Sequence, residues 1–81
     1  MITAVKSHSA IVTMELYAGN VRVPLAQLGP DFAIPVEAVE LQPCEAEIVM
    51  TIDGVMTRMR VFLQDGMTAD RRRVPLSKIP S

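Results

Sequence analysis

Cysteine, histidine and tryptophan are scarce in this chain of 81 residues, which has one Cys, one His and no Trp. A single cysteine cannot form an intramolecular disulfide, so nothing in the composition requires an oxidising compartment. One Cys and one His are also too few for a zinc site without carboxylate ligands. Aromatic residues amount to two Phe and one Tyr, whereas small β-domains that bind single-stranded nucleic acid usually present several stacking aromatic side chains.

Long apolar runs are missing as well. No stretch approaches the roughly 18 consecutive apolar residues that a membrane-spanning helix needs. The first residues, MITAVKSH, lack the basic segment and long apolar run of a secretory signal, and we therefore expect a cytoplasmic protein. No linker composition interrupts the chain, so residues 1–81 are predicted to form a single small β domain with a mobile segment at residues 1–9.

Apolar residues, in contrast, are abundant and make up 49% of the chain. A chain of this length buries only about 60–65% of the surface that its unfolded form exposes. Part of the apolar surface should therefore be covered by a second copy. The chain also has six methionines, whose flexible side chains suit adaptable contact surfaces. From these features we predict a homodimer.

The clearest local pattern is the segment EIVMTIDGVMTRMRVFL, in which two strand-like runs flank Asp53-Gly54. Asp-Gly is typical of a type I′ hairpin turn, because both central residues adopt positive φ there. A two-residue loop places Ile52 opposite Val55, and the same register places Glu47 opposite Arg60. One face of this hairpin is then nearly all apolar, and the other face is mixed. We predict that this is the central hairpin of the fold.

A second hairpin is predicted upstream, with a first strand over residues 10–17, a turn at Ala18-Gly19-Asn20 and a second strand over residues 21–23. Pro24 is expected to end the ladder, because proline has no N–H to donate. Phe32-Ala33-Ile34 is typical of a further short strand. Residues 35–43 are predicted to be extended, since the prolines at both ends leave too few residues for a stable helix.

The chain repeats one short string, as RVPL at residues 22–25, RVFL at residues 60–63 and RVPL at residues 73–76. In a strand, Val and Leu of this string face one way while Arg and the third residue face the other. The string is therefore typical of a half-buried exit strand. In the two proline-containing copies, Pro24 and Pro75 are each followed by apolar residues three apart, which fits a single helical turn.

These patterns together predict an all-β fold with at most one or two single helical turns. Three architectures remain open: a small antiparallel sheet, a sandwich, or an open barrel built from two hairpins. The stretch at residues 64–70 is predicted to be a loop.

Charge is distributed unevenly along the chain. Residues 1–54 have two basic and seven acidic residues, a net charge of −5, whereas residues 55–81 have six basic and two acidic residues, a net charge of +4. The two halves can face each other across strands or across a dimer interface. Alternatively, the basic residues form a patch for an anionic partner. The candidate anion- or nucleic-acid-binding residues are Arg58, Arg60, Arg71, Arg72 and Arg73.

No constellation in the sequence indicates catalysis. His8 and Cys44 are the only possible nucleophile–base pair, and we interpret Cys44 as a small buried hydrophobic residue and His8 as an exposed one. Glu45 with Glu47, and Glu37 with Glu40, are interpreted as solvated rather than metal-binding. The glycines form no phosphate-binding loop. We predict no enzyme activity and no cofactor.

The leading functional hypothesis is a non-enzymatic protein-interaction module that self-associates and docks on a larger protein partner. The alternative is an anion- or nucleic-acid-binding module that uses the five candidate arginines.

Overall fold

The computed structural model describes residues 11–80, and within them the chain forms strands and no helix. The all-β prediction is confirmed. The strands are β1 (Val12–Ala18), β2 (Val21–Leu28), β3 (Phe32–Pro35), β4 (Cys44–Ile52), β5 (Val55–Leu63), β6 (Val74–Pro75) and β7 (Ser77–Lys78).

All seven strands belong to one sheet, in the order β6-β3-β2-β1-β4-β5-β7, and every neighbouring pair is antiparallel. The two strands at the ends of this order, β6 and β7, are separated in the chain by Leu76 alone. The sheet therefore curls on itself into a nearly closed barrel, which selects the barrel among the three predicted architectures. Residues 11–80 contain no helix that is long and apolar enough to cross a membrane.

The central hairpin has the predicted register, from Ile52 opposite Val55 to Glu47 opposite Arg60 and on to Cys44 opposite Leu63. Asp53 and Gly54 both have positive φ, at 52° and 86°, as a type I′ turn requires. The short strand predicted at residues 32–34 is β3, and it extends by one residue to Pro35.

The turn between β1 and β2 is shorter than predicted. Ala18 pairs with Val21, so the loop is Gly19-Asn20 and not the three residues Ala18-Gly19-Asn20. Gly19 has a φ of 59°, whereas Asn20 is not among the residues with positive φ. Positive φ at the first central residue only is the pattern of a type II′ turn, which follows the right-handed twist of the flanking strands.

The β1–β2 ladder ends at the predicted residue, Pro24, which lies opposite Glu15, but the strand itself continues through Pro24 to Leu28 and pairs there with β3. The carbonyl of Pro24 accepts a hydrogen bond from the N–H of Val36 at 3.0 Å, on the side away from β1. In a strand, the nitrogen and carbonyl of one residue point to the same edge. The missing N–H therefore removes no bond from the β1–β2 ladder.

The helical turns expected after Pro24 and Pro75 do not form. The residues after Pro24 remain in β2 and pair with β3 through an irregular register between Leu25 and Gln27. The residues after Pro75 enter β7. In both places strand pairing provides hydrogen bonds to the main chain that a single helical turn would lose.

The three Arg-Val-x-Leu strings supply half of the buried apolar residues of the described chain. Their valines and leucines are at most 6% exposed, and they are Val23, Leu25, Val61, Leu63, Val74 and Leu76. The predicted alternation of faces is thus confirmed for all three copies. The two RVPL copies lie on either side of β3, where Leu25 pairs with Pro35 and Val74 pairs with Ala33.

Residues 35–43 form no helix, and after β3 they are irregular except for one bridge between Leu41 and Met67. Met67 belongs to the predicted loop at residues 64–70, yet its side chain is only 2% exposed and joins the core. The loop therefore contributes to the interior of the barrel, which the sequence pattern did not predict.

The far ends of β1, β4 and β5 extend beyond the barrel. β1 pairs with β4 from Val12 to Tyr17, but it pairs with β2 only from Glu15 to Ala18. We call this three-stranded extension, residues 11–14, 50–52 and 55–59, the hairpin arm. Its large apolar side chains are 43–74% exposed at five positions: Ile11, Val12, Ile52, Val55 and Met56. The apolar face of the central hairpin is thus covered only over the half that lies on the barrel.

Candidate functional site

The five candidate arginines do not form one patch. Arg58 and Arg60 lie on the outer face of β5 and line a groove with Lys78 and Ile79. Arg71, Arg72 and Arg73 lie in the connection between β5 and β6, where Arg71 and Arg73 line a different groove. The five arginines were predicted as one set because of their charge. The fold separates them, because Arg58 and Arg60 lie within β5 whereas Arg71–Arg73 lie in the connection that follows it.

On the outer face of the central hairpin, the arginines contact glutamates of β4. Arg60 Nη2 lies 2.8 Å from Glu45 Oε1, and Arg58 Nη1 lies 4.0 Å from Glu47 Oε2. Arg60 and Glu47 lie directly opposite each other, as predicted, but the ion pairs form between diagonal neighbours instead. Long side chains reach diagonal neighbours across a sheet as readily as opposite ones.

The second group of arginines is also engaged within the chain. Arg71 Nη1 lies 3.0 Å from Asp65 Oδ2. The guanidinium carbon of Arg73 lies 3.9 Å from the centroid of the Phe32 ring, within the range of a cation–π interaction. The groove beside them is also lined by Asp31 and Asp65. An anionic ligand there would meet two carboxylates together with the two guanidinium groups.

A third polar cluster lies on β1 and β2, and no pattern in the sequence predicted it. The carboxylate of Glu15 accepts hydrogen bonds from Tyr17 Oη at 2.7 Å and from Arg22 Nε at 2.9 Å, with a further contact from Arg22 Nη2. The hydrogen bonds from Arg22 and Tyr17 lower the pKa of Glu15. Glu15 in turn raises the pKa of Tyr17 and that of Arg22.

On the outer face of β2, β1, β4 and β5, acidic and basic side chains of the same chain therefore form ion pairs. Arg22, Arg58 and Arg60 each have a glutamate partner. All these side chains are partly or largely exposed, so these pairs contribute little to stability. Two of the four ion pairs found within residues 11–80, Arg58–Glu47 and Arg60–Glu45, join the acidic and the basic half of the sequence across strands, and no concentrated basic patch results on this face.

The residues considered for catalysis and metal binding are placed apart. Cys44 is a free thiol at the start of β4, half-buried against the core and opposite Leu63. His8 and the segment at residues 1–9 lie outside the described residues. Within residues 11–80, no group of three or more His, Cys, Asp or Glu side chains could hold a metal ion.

Five of the nine large apolar side chains that are exposed within residues 11–80 lie on the hairpin arm. Val55, Met56 and Ile52 are 68%, 56% and 43% exposed, although alternation in the sequence predicted that Ile52 and Val55 would lie on the apolar face. Val12 on β1 lies opposite Ile52 and extends the face of Ile52 and Val55, whereas Ile11 and Met56 are exposed on the other face of the arm. The pattern of alternating residues correctly identified which side chains share a face, but not where the barrel stops covering that face.

The chain matches no protein-family model, no curated protein and no solved structure.

Proposed function

We propose that this protein is a non-enzymatic interaction module that self-associates through the hairpin arm. The observation that carries the proposal is the row of exposed apolar side chains that Val12, Ile52 and Val55 form on the inner face of the arm, with Ile11 and Met56 exposed on its outer face. Isolated exposed apolar residues are common, but a contiguous group of them marks an interaction surface. A second copy of the chain is always present at the concentration of the first, and it presents the same apolar surface. A symmetric dimer can therefore cover this surface on both copies.

The free energy available from burying the exposed side chains of the arm is comparable to the cost of association. Fully burying a Val, Ile or Met side chain contributes about 1.5–3 kcal/mol, and these five side chains are 43–74% exposed. Their burial would contribute on the order of 5 kcal/mol per copy before the entropic cost of association is subtracted. Two copies contribute equally, so burial on both faces of the arm would give about 10 kcal/mol, which is comparable to the roughly 4–15 kcal/mol that association costs.

The alternative function, binding of an anion or a nucleic acid, has weaker support. Arg58, Arg60 and Arg71 are each within 4.0 Å of a carboxylate, and Arg73 lies over Phe32. A phosphate would have to compete with these intramolecular partners. The remaining support is the exposed Phe62, which shares the outer face of β5 with Arg58 and Arg60.

The cellular setting belongs to the same proposal. Cys44 is a partly accessible free thiol, and such a residue is compatible with a reducing compartment such as the cytoplasm.

The proposal is tested by the mass of the purified protein in solution, measured by light scattering at micromolar concentration. We expect a dimer that persists in about 0.5 M salt, because burial of apolar surface is not screened. Val55→Lys should produce a folded monomer. The matched control is Val36→Lys, because Val36 is 59% exposed but lies after β3, and this variant should remain dimeric.

A monomeric mass for the wild-type protein would overturn the proposal. So would a dimer that both lysine variants leave unchanged, because the arm would then have no part in it.

A further inference from the structure

One edge of the hairpin arm carries backbone groups with no partner within the described residues. Ile79 N–H donates to the carbonyl of Arg60 at 2.9 Å, so the backbone groups of Arg60 point away from β4. The backbone N–H and C=O groups of alternate residues in a strand point to the same edge. The backbone groups of Met56 and Arg58 therefore also point away from β4. β7 pairs with β5 only at Val61 and Phe62, which leaves the edge at Met56 and Arg58 open within residues 11–80.

We infer that two copies of the chain join along this edge, with their β5 strands antiparallel and Thr57 on the twofold axis. The inference rests on the proposed self-association and specifies how it occurs. In this register Met56 of one copy lies opposite Arg58 of the other, and the reverse holds by symmetry. The N–H and carbonyl groups of both residues then pair reciprocally, and two barrels share one continuous sheet.

Neighbouring registers fit the edge less well. A twofold axis at Arg58 would place the two Arg58 side chains directly opposite each other, which is destabilising for like charges. That register also requires Arg60 to form a hydrogen-bonded pair with Met56 of the second copy, although the carbonyl of Arg60 already accepts a hydrogen bond from Ile79. An axis at Met56 would place Arg58 opposite Gly54, a residue of the hairpin turn with a φ of 86°, and regular pairing would be lost there.

The side chains are compatible with the Thr57 register. On the outer face, Met56 would contact the aliphatic part of Arg58 from the second copy, and the guanidinium group of Arg58 is directed toward Glu47 of its own chain. On the other face, Val55 would lie opposite Met59, a half-buried residue that packs against the core. Val55 and Met56, the two exposed apolar residues of the arm that belong to β5, are thus brought against the second copy, and no like charges face each other directly.

Disulfide trapping tests the register in a Cys44→Ala background, after light scattering has shown whether that background is dimeric. Opposite residues at a position without direct hydrogen bonds have Cα atoms about 4.5 Å apart, within the roughly 4.4–6.8 Å range of disulfides. Thr57→Cys should therefore form a disulfide-linked dimer under mild oxidation. Val55→Cys is the control, since the two Val55 residues would be about 13 Å apart along the strands.

A second pair of variants tests the edge itself. Arg58→Pro removes an outward N–H, and proline is tolerated on an edge strand whose N–H faces solvent. The monomer of this variant should still fold, whereas the dissociation constant of its dimer should rise at least tenfold. Arg58→Ala removes the charge but keeps the N–H, so its dissociation constant should stay within about threefold of the wild-type value.

The outcomes separate this inference from the proposed function. A monomeric parent protein overturns both. A dimer in which Val55→Cys crosslinks as readily as Thr57→Cys, or in which Arg58→Pro binds as tightly as Arg58→Ala, overturns the edge pairing and leaves self-association through the arm in place. Selective crosslinking at residue 57 together with loss of affinity in Arg58→Pro supports the inference.

Discussion

Leu41 and Met67 exchange two backbone hydrogen bonds, at 2.9 and 2.8 Å, and thereby join the connection after β3 to the loop after β5. Gly66 makes this contact possible. Its φ is 62°, and a Cβ atom at this position would lie 2.1 Å from the carbonyl oxygen of Leu41. Because these two hydrogen bonds hold the backbone of Met67 against Leu41, the side chain of Met67 packs into the core.

We predict that Gly66→Ala lowers the free energy of unfolding by more than about 3 kcal/mol, because backbone strain is added to a clash with backbone atoms. Gly19→Ala is the matched control. Gly19 has nearly the same φ, 59°, but a Cβ there would meet nothing within 4 Å. The control should lose only about 1 kcal/mol. Equal losses in chemical denaturation would show that the Leu41–Met67 contact tolerates the added methyl group.

Glu15 should make the stability of the protein depend on pH in the acidic range. Because Arg22 and Tyr17 lower the pKa of Glu15 in the folded state, its contribution is present above the unfolded-state pKa of about 4.3 and is lost as pH falls through the lower folded-state value. Between about pH 5 and pH 2, the wild-type protein should therefore lose more stability than Glu15→Gln. Thermal melts across that range measure the difference.

Glu37→Gln is the control for this experiment, since Glu37 is exposed and takes part in none of the ion pairs found within residues 11–80. It should follow the wild-type dependence on pH. A Glu15→Gln variant that also follows the wild-type curve would show that the hydrogen bonds from Arg22 and Tyr17 do not persist in solution.

Replacing Arg71, Arg72 and Arg73 together by Ala should have a small effect on stability. The variant loses one exposed ion pair with Asp65 and one cation–π contact with Phe32, and these contribute about 1–2 kcal/mol in total. The dimer should be retained.

The same triple variant decides between the two functional hypotheses. We expect that neither the wild-type protein nor the triple variant binds DNA or RNA at near-physiological ionic strength. Binding by the wild type that weakens steeply as salt rises, with a lower affinity and a shallower salt slope in the triple variant, would instead establish the nucleic-acid hypothesis.

Cys44 is expected to have a structural role only. Cys44→Ala removes a half-buried side chain that packs against the core, and it should lower the free energy of unfolding by about 1 kcal/mol. Self-association should be unchanged in light scattering. A folded Cys44→Ala variant that no longer self-associates would show that the thiol has a functional role.

Local sequence determined the hairpins and the faces of their strands. Asp53-Gly54 sets the register of β4 and β5, because only a few backbone conformations join two strands with two residues. The alternation in Arg-Val-x-Leu correctly assigns Val61 and Leu63 to the interior, since side chains of a strand alternate with a period of two. These features depend on residues that are close together in the chain.

Tertiary structure decided how far each pattern extends. Pro24 remains within β2 because its carbonyl bonds to Val36 of the β3 connection, and Met67 is buried because Leu41 pairs with it. Val55 is exposed although it alternates in phase with the buried Val61, because the barrel ends before it. Each of these outcomes depends on which distant segments pack together, and a period of two carries no information about where the opposing layer stops.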